Sequence, residues 1–567
     1  MRKDAAPVRQ VGLFFLCVAL FSSAAAYNRF PLVYSDTGTY LSSALTLVAP
    51  PDRPIFYGLF LRAANAFSAS LWLPVLAQAA VLAWLLLLLI KKVRPGTKAE
   101  EAAALAVFLA AATGLPWVSG QLLPDIFLSY LAISLYLLIF HGPWNDKDKI
   151  LLSLVFVGSL IVHFSHVVIA AALLLCLAVN AQTRKKLLLP AALFMLSVAV
   201  MSSVKLFTKE KAASNGHVFI TGHLIESRVV DRLLDEHCAE KNYALCPYKD
   251  DVKKMTGTDF PWSGTLKKIG DWDYSGAVLW PVIIDASLYY PLDDVKSVVA
   301  DSLHQFFTFA TGDGLIPSDD SRFVYKVIRD KLPGSFAAFE ASEEQTGRLP
   351  RLLAPLSMLH RAVALLAIAL AALFLLPSPY RPASGMRPLI GFMLLFCAIN
   401  ASICGTVSGV FDRFQGRIVW LLVFSTALAA LGVYRREAAP ETGPLAKGWP
   451  SRRALKAFAA GVAVCCLALV LGASRISNHY DTTAPSQYEK TPVVVWPRPD
   501  KVTRKVPLSA FGNTQGMAVG VQIEATLISG VKFIGTVTGI GKDEITVEAS
   551  WEMVRWDPGL AAAPPRS

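Results

Sequence analysis

The sequence predicts an all-α polytopic membrane protein, and three properties of the chain lead to that fold class. Of its 567 residues, 54% are hydrophobic and only 17% are charged, whereas soluble domains carry roughly 25% charged residues. The mean hydropathy is +0.47. The apolar residues gather in blocks of roughly 15 to 25, which is long enough to cross a bilayer core. Composition therefore excludes a soluble enzyme, a fibrous protein and a disordered chain.

About eleven of these apolar blocks qualify as transmembrane spans by length. The first runs from Val11 to Tyr27 and follows three basic residues, Arg2, Lys3 and Arg9. A retained span fits the topology that follows, although the small residues at 23–26 also resemble a signal-peptide cleavage site. The other predicted spans cover residues 70–90, 102–117, 122–140, 150–163, 167–179, 187–205, 352–376, 388–405, 417–434 and 454–472.

Lys and Arg residues predict which loops lie inside the cell. With a cytoplasmic N-terminus, the predicted inner loops contain basic clusters at 91–94, 184–186, 435–436 and 452–453. The short outer turns at 116–124 and 163–166 contain no Lys or Arg, as the positive-inside rule requires. We therefore expect a bacterial inner-membrane protein with a periplasmic C-terminus. The net charge of +12 then belongs to inner loops, and nucleic acid is not an expected partner.

Two hydrophilic segments divide the chain into four predicted regions. Residues 1–205 and 352–472 form the two parts of the membrane domain, residues 206–351 form a mixed periplasmic insertion, and residues 473–567 form a periplasmic tail. In the tail, residues 521–527 alternate with period two and are followed by Gly-containing turn signals. The tail is therefore predicted to contain a small β-rich module.

Cys238 and Cys246 are the only cysteines outside the apolar blocks. Two cysteines eight residues apart in an oxidising periplasm favour a disulfide. The alternative is a metal site that uses His237 and Cys238, but the sequence contains no second closely spaced pair of ligands.

Two acidic residues at outer span ends are the candidate catalytic residues. Asp36 lies in the first outer loop, and Asp125 follows Pro124 where the second outer turn enters a span. Taken singly, each is also explained by helix capping or by the dipole of a first helical turn. Two acids in consecutive loops on the same membrane face instead indicate an active site.

Basic and aromatic residues at the same predicted depth are the candidate substrate-binding residues. Arg53 and Tyr57 follow Asp36 in the first outer loop, and Arg413 and Arg417 open the tenth span. Guanidinium groups match phosphate oxygens bidentately. Interfacial snorkelling is the alternative explanation for arginines at this depth.

His163 and His166 occupy a turn between two predicted spans of 14 and 13 residues. Spans this short do not cross a full bilayer, so we expect a sunken hairpin covered by other helices. The two histidines either bind a metal ion or phosphate, or satisfy backbone groups at the turn.

The order of these residues resembles the GT-C superfamily of integral-membrane glycosyltransferases. Asp36 lies in the first outer loop, Arg53-Pro54-Ile55-Phe56-Tyr57 follows, Pro124-Asp125 forms the second outer turn, and Arg413 to Arg417 lie near the last spans. The resemblance implies a polyprenyl-phosphate-sugar donor, a base at Asp36 or Asp125, and phosphate binding by the late arginines. No cofactor is assigned. A divalent metal stays open, because Ser35-Asp36-Thr37 replaces the family's frequent acidic pair.

The expected activity is therefore sugar transfer to an envelope glycan or lipid acceptor at the periplasmic face, with membrane lipids as further partners. A transporter or lipid flippase is the alternative. Such proteins usually show internal repeats and polar groups near the bilayer midplane, and the sequence shows neither. A third hypothesis is a non-catalytic membrane assembly protein whose tail binds a partner.

Overall fold

The computed structural model describes residues 5–50, 53–65, 70–207, 216–376, 385–436, 502–507, 522–526, 531–540 and 544–554. The chain divides into two compact units, Met1–Leu471 and Gly472–Ser567. The described part of the first unit is almost entirely helical. This helical architecture, with its candidate membrane-spanning helices, fits the all-α membrane protein predicted from composition.

The chain before the insertion folds into helices that follow its apolar blocks. They are α1 Ala5–Phe21, α2 Ser23–Asn28, α3 Thr37–Thr46, α4 Phe56–Ala64, α5 Trp72–Val93, α6 Ala99–Ala112, α7 Leu115–Ser119, α8 Asp125–Phe140, α9 Asp146–Ile161, α10 Phe164–Ala178, α11 Ala181–Arg184 and α12 Leu188–Phe207. Helix α5 carries Pro74 in its first turn and Lys91 and Lys92 in its last. Proline is tolerated in the first turn of a helix, and cations are favoured in its last turn by the helix dipole.

The insertion, predicted from the sequence to be mixed, forms only helices in its described residues. Its helices are α13 Gly216–Glu226, α14 Val229–Lys241, α15 Lys249–Lys254, α16 Gly264–Lys268, α17 Asp271–Tyr274, α18 Gly276–Tyr289, α19 Pro291–Phe307, α20 Phe323–Lys331 and α21 Pro333–Glu340. The Cys238–Cys246 disulfide predicted from the sequence is confirmed, with Cα atoms 5.6 Å apart. It joins the end of α14 to the loop before α15.

The chain returns to the membrane domain after the insertion. These helices are α22 Leu349–Leu375, α23 Met386–Val407, α24 Asp412–Gly416 and α25 Trp420–Arg436. The predicted span at 454–472 lies outside the described residues.

Five helices in the described residues are long and apolar enough to cross a membrane. They are Trp72–Val93, Lys185–Ser203, Leu349–Leu375, Met386–Val407 and Asp412–Leu431. A sixth is added if α9 and α10, which are bent by 120° at the His163 turn, form one span. The bend lies at the predicted turn. A broken span and a re-entrant loop would both contain such a bend.

The predicted count of eleven spans is therefore not reached in the described part of the chain. The block at 122–140 forms the 16-residue helix α8, and the first block forms a short apolar helix, Arg9–Phe21. The block at 102–117 is divided between α6 and α7, because the Thr113 hydroxyl accepts the Leu115 N–H and starts a new turn. Apolar length alone does not show where a block is divided into separate helices.

Helix α8 lies in the interior of the helical bundle. Nearly all of its side chains are buried, and it packs against α5, α7, α9 and α23. A helix that is apolar all round is expected in such a central position. Its first residue, Asp125, is therefore surrounded by protein.

The described residues of the tail form four strands of one antiparallel sheet. They are β1 Val502–Pro507, β2 Gln522–Thr526, β3 Val531–Ile540 and β4 Glu544–Val554, in the order β1-β4-β3-β2. The segment of alternating residues found in the sequence overlaps β2. Register shifts interrupt the pairing of β3 with β4 at Ile534/Gly535 and Val537/Gly539.

Candidate functional site

A short backbone bridge brings the predicted first outer loop beside the predicted second outer turn. The N–H of Leu32 donates to the Gly120 carbonyl at 3.0 Å, and the N–H of Leu122 donates to the Leu32 carbonyl at 2.9 Å. The Thr37 hydroxyl then donates to the Leu122 carbonyl at 3.2 Å. The two segments run in parallel from this bridge, so Asp36 and Asp125 lie at the same end of the bundle.

Asp125 is held by two arginines. Its Oδ2 accepts a hydrogen bond from Arg413 Nε at 2.6 Å, and its Oδ1 accepts from Arg413 Nη2 at 3.3 Å and from Arg417 Nη1 at 3.1 Å. The Asp125 side chain is only 1% exposed. Such a carboxylate anchors the guanidinium groups around it, because solvent and ligands do not reach it.

Asp36 pairs with the same Arg413 from the other side. Arg413 Nη1 donates to Asp36 Oδ2 at 3.1 Å, and Arg53 Nη1 lies 3.3 Å from Asp36 Oδ1. Asp36 precedes α3, but its side chain makes no capping hydrogen bond there. Its side chain is 28% exposed, so it is the accessible acid of the two.

These five residues, Asp36, Arg53, Asp125, Arg413 and Arg417, form what we call the Arg413 cluster. Three guanidinium groups face two carboxylates, so the cluster has an excess of one positive charge. Partial burial of Asp36 favours its neutral form. The charges of Arg53 and Arg413 outweigh that effect and hold the pKa of the carboxyl below its usual value.

Two tyrosine rings lie against the arginines of the cluster. The guanidinium carbon of Arg413 is 4.3 Å from the centre of the Tyr34 ring, and that of Arg53 is 5.1 Å from the Tyr40 ring. Cations over aromatic faces are stabilised by the ring quadrupole. The rings also limit how far the two arginines can move.

The insertion holds the loop that carries Arg413. The Arg413 N–H donates to Asp313 Oδ2 at 3.1 Å, and the Gln305 side chain bonds both the N–H and the carbonyl of Phe411, at 2.9 and 2.8 Å. Burial raises the pKa of the Asp313 carboxyl. Asp313 and Gln305 therefore set the position of the arginine from a different part of the chain.

Arg417 is deeper than the sequence predicts. It is 2% exposed, and its Nη2 donates to Asn400 Oδ1 at 3.1 Å and lies 3.3 Å from Cys404 Sγ. The Asn400 amide in turn donates to the Phe414 carbonyl at 2.8 Å. Arg417 thus supports Asp125 and the loop before it, and its predicted contact with substrate is not supported by this position.

Tyr57 does not reach the cluster surface. It is fully buried, and its hydroxyl donates to Gln78 Oε1 at 2.7 Å. The Gln78 amide continues this network to the carbonyls of Ser119 and Gln121. This position does not support the predicted substrate-binding role of Tyr57, and the residue instead joins the first loop to the 116–124 turn through Gln78.

The two histidines make local hydrogen bonds. His163 Nδ1 accepts from the Ser165 N–H at 3.2 Å, and so caps α10. His166 is buried, with its Nδ1 2.7 Å from the Ser159 carbonyl. Of the two alternatives given by the sequence, these contacts favour histidines that satisfy backbone groups at the turn.

A shared metal site is not found in the described ranges. No three His, Cys, Asp or Glu side chains among those residues come close enough together to hold one ion. In the Arg413 cluster, the carboxylate oxygens of Asp36 and Asp125 that could bind a metal ion are paired with guanidinium groups.

No family model, curated protein or solved structure matches this chain. Sequence reasoning identified all five members of the Arg413 cluster but missed three residues that contact it, Tyr34, Asp313 and Asn400. The available signal was weak: Asp313 stands between two glycines in a loop, and Asn400 is a lone amide inside an apolar block.

Proposed function

We propose that this chain is a membrane glycosyltransferase that moves a sugar from a polyprenyl-phosphate donor to an envelope glycan or lipid acceptor. The observation that best supports the proposal is that Arg413 bridges Asp36 and Asp125 at one end of the candidate spans. With Arg53 and Arg417 the cluster has excess positive charge, which suits a phosphate group. A lipid-phosphate sugar presents that group at the membrane surface.

In the proposed reaction, the donor phosphate replaces the Asp36 carboxylate on Arg53 and Arg413. Once released from those cations, Asp36 is more basic and accepts the proton of the acceptor hydroxyl. The acceptor oxygen bonds to the anomeric carbon while the bond from that carbon to the phosphate oxygen breaks. The electron pair leaves with polyprenyl phosphate, and the arginines stabilise its added negative charge.

Asp36 is proposed as the base rather than Asp125 because of access. The side chain of Asp36 is 28% exposed, whereas that of Asp125 is 1% exposed and bonded to two arginines. Asp125 is instead proposed as the residue that positions Arg413. Loss of a general base typically costs about 10²- to 10⁴-fold in rate.

We also propose that the chain is a bacterial inner-membrane protein with eleven spans, counting the short apolar helices and the block at 454–472. Its N-terminus is then cytoplasmic, and the insertion, the Arg413 cluster and the β-rich tail are periplasmic. The support for this placement is the distribution of Lys and Arg between the short loops.

The test is a comparison of envelope glycans and lipids by mass spectrometry in a deletion strain complemented with different variants. Parent protein and the control Asp250→Asn, an exposed acid of the insertion, should restore a glycosylated species that the deletion strain lacks. Asp36→Asn should not restore it, at equal membrane abundance and thermal stability. If Asp36→Asn keeps more than about a tenth of parent transfer, Asp36 is not the base. An unchanged envelope in the deletion strain would reject the glycosyltransferase itself.

A further inference from the structure

Helix α19 carries polar residues on the side that faces the protein. The Asp294 and Asp301 carboxylates lie 3.7 and 3.5 Å from the ring nitrogens of His223 in α13. Gln305, on the same side, bonds the backbone of Phe411. In a water-soluble domain this side of a helix is normally the apolar one.

The outward side of α19 is apolar instead. Large apolar side chains recur along it at helical spacing and are 52–73% exposed: Leu292, Val295, Val299, Leu303 and Phe307. Lys296 lies among them, 77% exposed, with a long apolar stem that can place its ammonium group at a headgroup. Asp293 and His304 lie at the margin of this side.

Helix α18 continues the apolar surface. Trp280, Ile284 and Leu288 are 43%, 52% and 72% exposed and lie four residues apart. The opposite side of α18 is also apolar and is buried against α13 and α14. Asp285 and Ser287 lie between these two sides and hydrogen-bond Tyr243 and Asp294. A helix with two apolar sides is typical of a protein core or of lipid. We call the exposed residues of the two helices the α18–α19 face.

The α18–α19 face adjoins a candidate membrane span. Helix α19 packs along α23, and at Gly405 the two helices are so close that an added Cβ would lie 2.8 Å from the Asp301 carbonyl oxygen. Phe306 of α19 packs into the same hydrophobic core as the candidate spans. Helix α19 therefore lies alongside a candidate span, with its apolar outward side turned away from α23.

We propose that α18 and α19 are seated in the lipid leaflet at this end of the spans, with acyl chains covering the α18–α19 face. The inverted polarity of α19 and its close packing along the candidate span α23 support lipid as the occupant. The inference does not depend on the glycosyltransferase proposal. Because Gln305 holds Phe411, close before Arg413, the lipid-seated helix also supports the loop of the Arg413 cluster.

The test uses nitroxide labels on the full chain reconstituted in phospholipid nanodiscs. Val299→Cys and Leu303→Cys place the label on the face, and Glu240→Cys places it on α14 of the same insertion, where the side chain is 73% exposed. Unmodified protein labelled in parallel gives the background from native thiols. Collision with oxygen should exceed collision with a water-soluble nickel chelate at 299 and 303, and the order should reverse at 240.

Two results would overturn the proposal. Nickel access at 299 and 303 equal to that at 240 would mean that water covers the face. Spin–spin broadening that disappears on dilution with unlabelled chain would mean that a second copy covers it. Both label sites are exposed, so neither substitution removes a packed side chain.

Discussion

Arg413 is the residue on which the site geometry depends. One guanidinium group bonds Asp125 through Nε and Nη2 and Asp36 through Nη1, while its backbone N–H bonds Asp313. Lysine has a single ammonium group and cannot provide this planar set of donors. The side chain therefore joins the first loop, the second outer turn and the insertion at one point.

Removal of Arg417 should lower the stability of the protein more than it weakens the binding of a ligand. Arg417→Ala leaves the buried Asp125 with one cation instead of two, and loss of one partner of a buried pair costs about 3–5 kcal/mol. Thermal unfolding in detergent should show a clear loss of stability. Arg232→Ala, which removes an arginine that is 55% exposed, is the matched control and should change little. Equal stability of the two variants would contradict the anchoring role of Arg417.

Glu344 is a buried acid that the sequence does not single out. It is 1% exposed, and its Oε2 accepts the Val33 N–H at 3.2 Å. Among the described residues, its Oε1 has no hydrogen-bond partner. Burial raises the pKa of Glu344 well above its usual value, so the folded protein binds a proton that the unfolded chain releases at a lower pH.

The sign of this shift gives a pH prediction. A group whose pKa is raised in the folded protein contributes its full stabilisation at pH values below its pKa in the unfolded chain. That stabilisation is lost as the pH rises through the pKa of the group in the folded protein. Parent protein should therefore melt at lower temperature as pH rises above the usual pKa of a glutamate. Glu344→Gln should flatten this dependence and be at least as stable at neutral pH. Glu343→Gln, which removes the neighbouring acid paired with Arg29 and Arg348, is the matched control, and flattening specific to Glu344→Gln checks the prediction.

Sequence alone could identify the charged residues of the site but not their accessibility. Asp36, Asp125, Arg413 and Arg417 are conspicuous because charges are expensive beside apolar blocks. The sequence does not indicate that the Asp36 side chain is accessible while that of Asp125 is buried. It also does not indicate that Tyr57 is buried rather than at the surface. Asp313 and Asn400 join the site through long-range folding, which local patterns do not encode.

At the level of elements, close packing of α3 on α20 positions Asp36. An added Cβ at Gly38 would lie 2.7 Å from both the N and the Cα of Val324. Tyr40 of α3 and Val324 of α20 belong to one hydrophobic core. Only a glycine permits this approach of the two backbones, and Asp36 stands directly before α3.

Gly38→Ala should therefore move α3 away from α20. Overpacking of this kind typically costs about 1–3 kcal/mol, and the shift should also impair transfer through Asp36. Gly158→Ala is the matched control, because Gly158 lies inside α9 with open space beside it. That variant should be neutral or more stable by up to about 1 kcal/mol. Thermal unfolding and the envelope assay check both, and a Gly38→Ala protein as stable as parent would contradict the packing.

The hydrophobic blocks of the sequence predicted the positions of the helices well, but they did not predict the breaks that divide a block into two helices. Blocks at 70–90 and 388–405 became Trp72–Val93 and Met386–Val407. The block at 102–117 broke at Thr113, where a side-chain hydrogen bond replaces the helical one. Such a break costs little inside a bundle, because neighbouring groups satisfy the backbone.

At the scale of the whole molecule, the prediction to be tested is how often the chain crosses the membrane and on which side each loop lies. Five helices, or six with the bent α9–α10 pair, reach the length and hydropathy of a span in the described residues. Short helices such as α8 lie among them, so helix length does not determine how often the chain crosses. Loop charge is the independent signal, and it predicts an odd number of crossings.

Alkaline phosphatase fusions test that prediction, because the enzyme is active only outside the cytoplasm, where its disulfides form. Fusions after Ser567 and after Glu240 should be active, and a fusion after Lys92, in a basic loop, should be inactive. Immunoblots confirm equal amounts of each fusion, and a cytoplasm-active reporter at the same sites should give the opposite pattern. Activity after Lys92 would invert the membrane domain. Activity after Glu240 without activity after Ser567 would instead mean an even number of crossings, with the tail in the cytoplasm and the Arg413 cluster still outside.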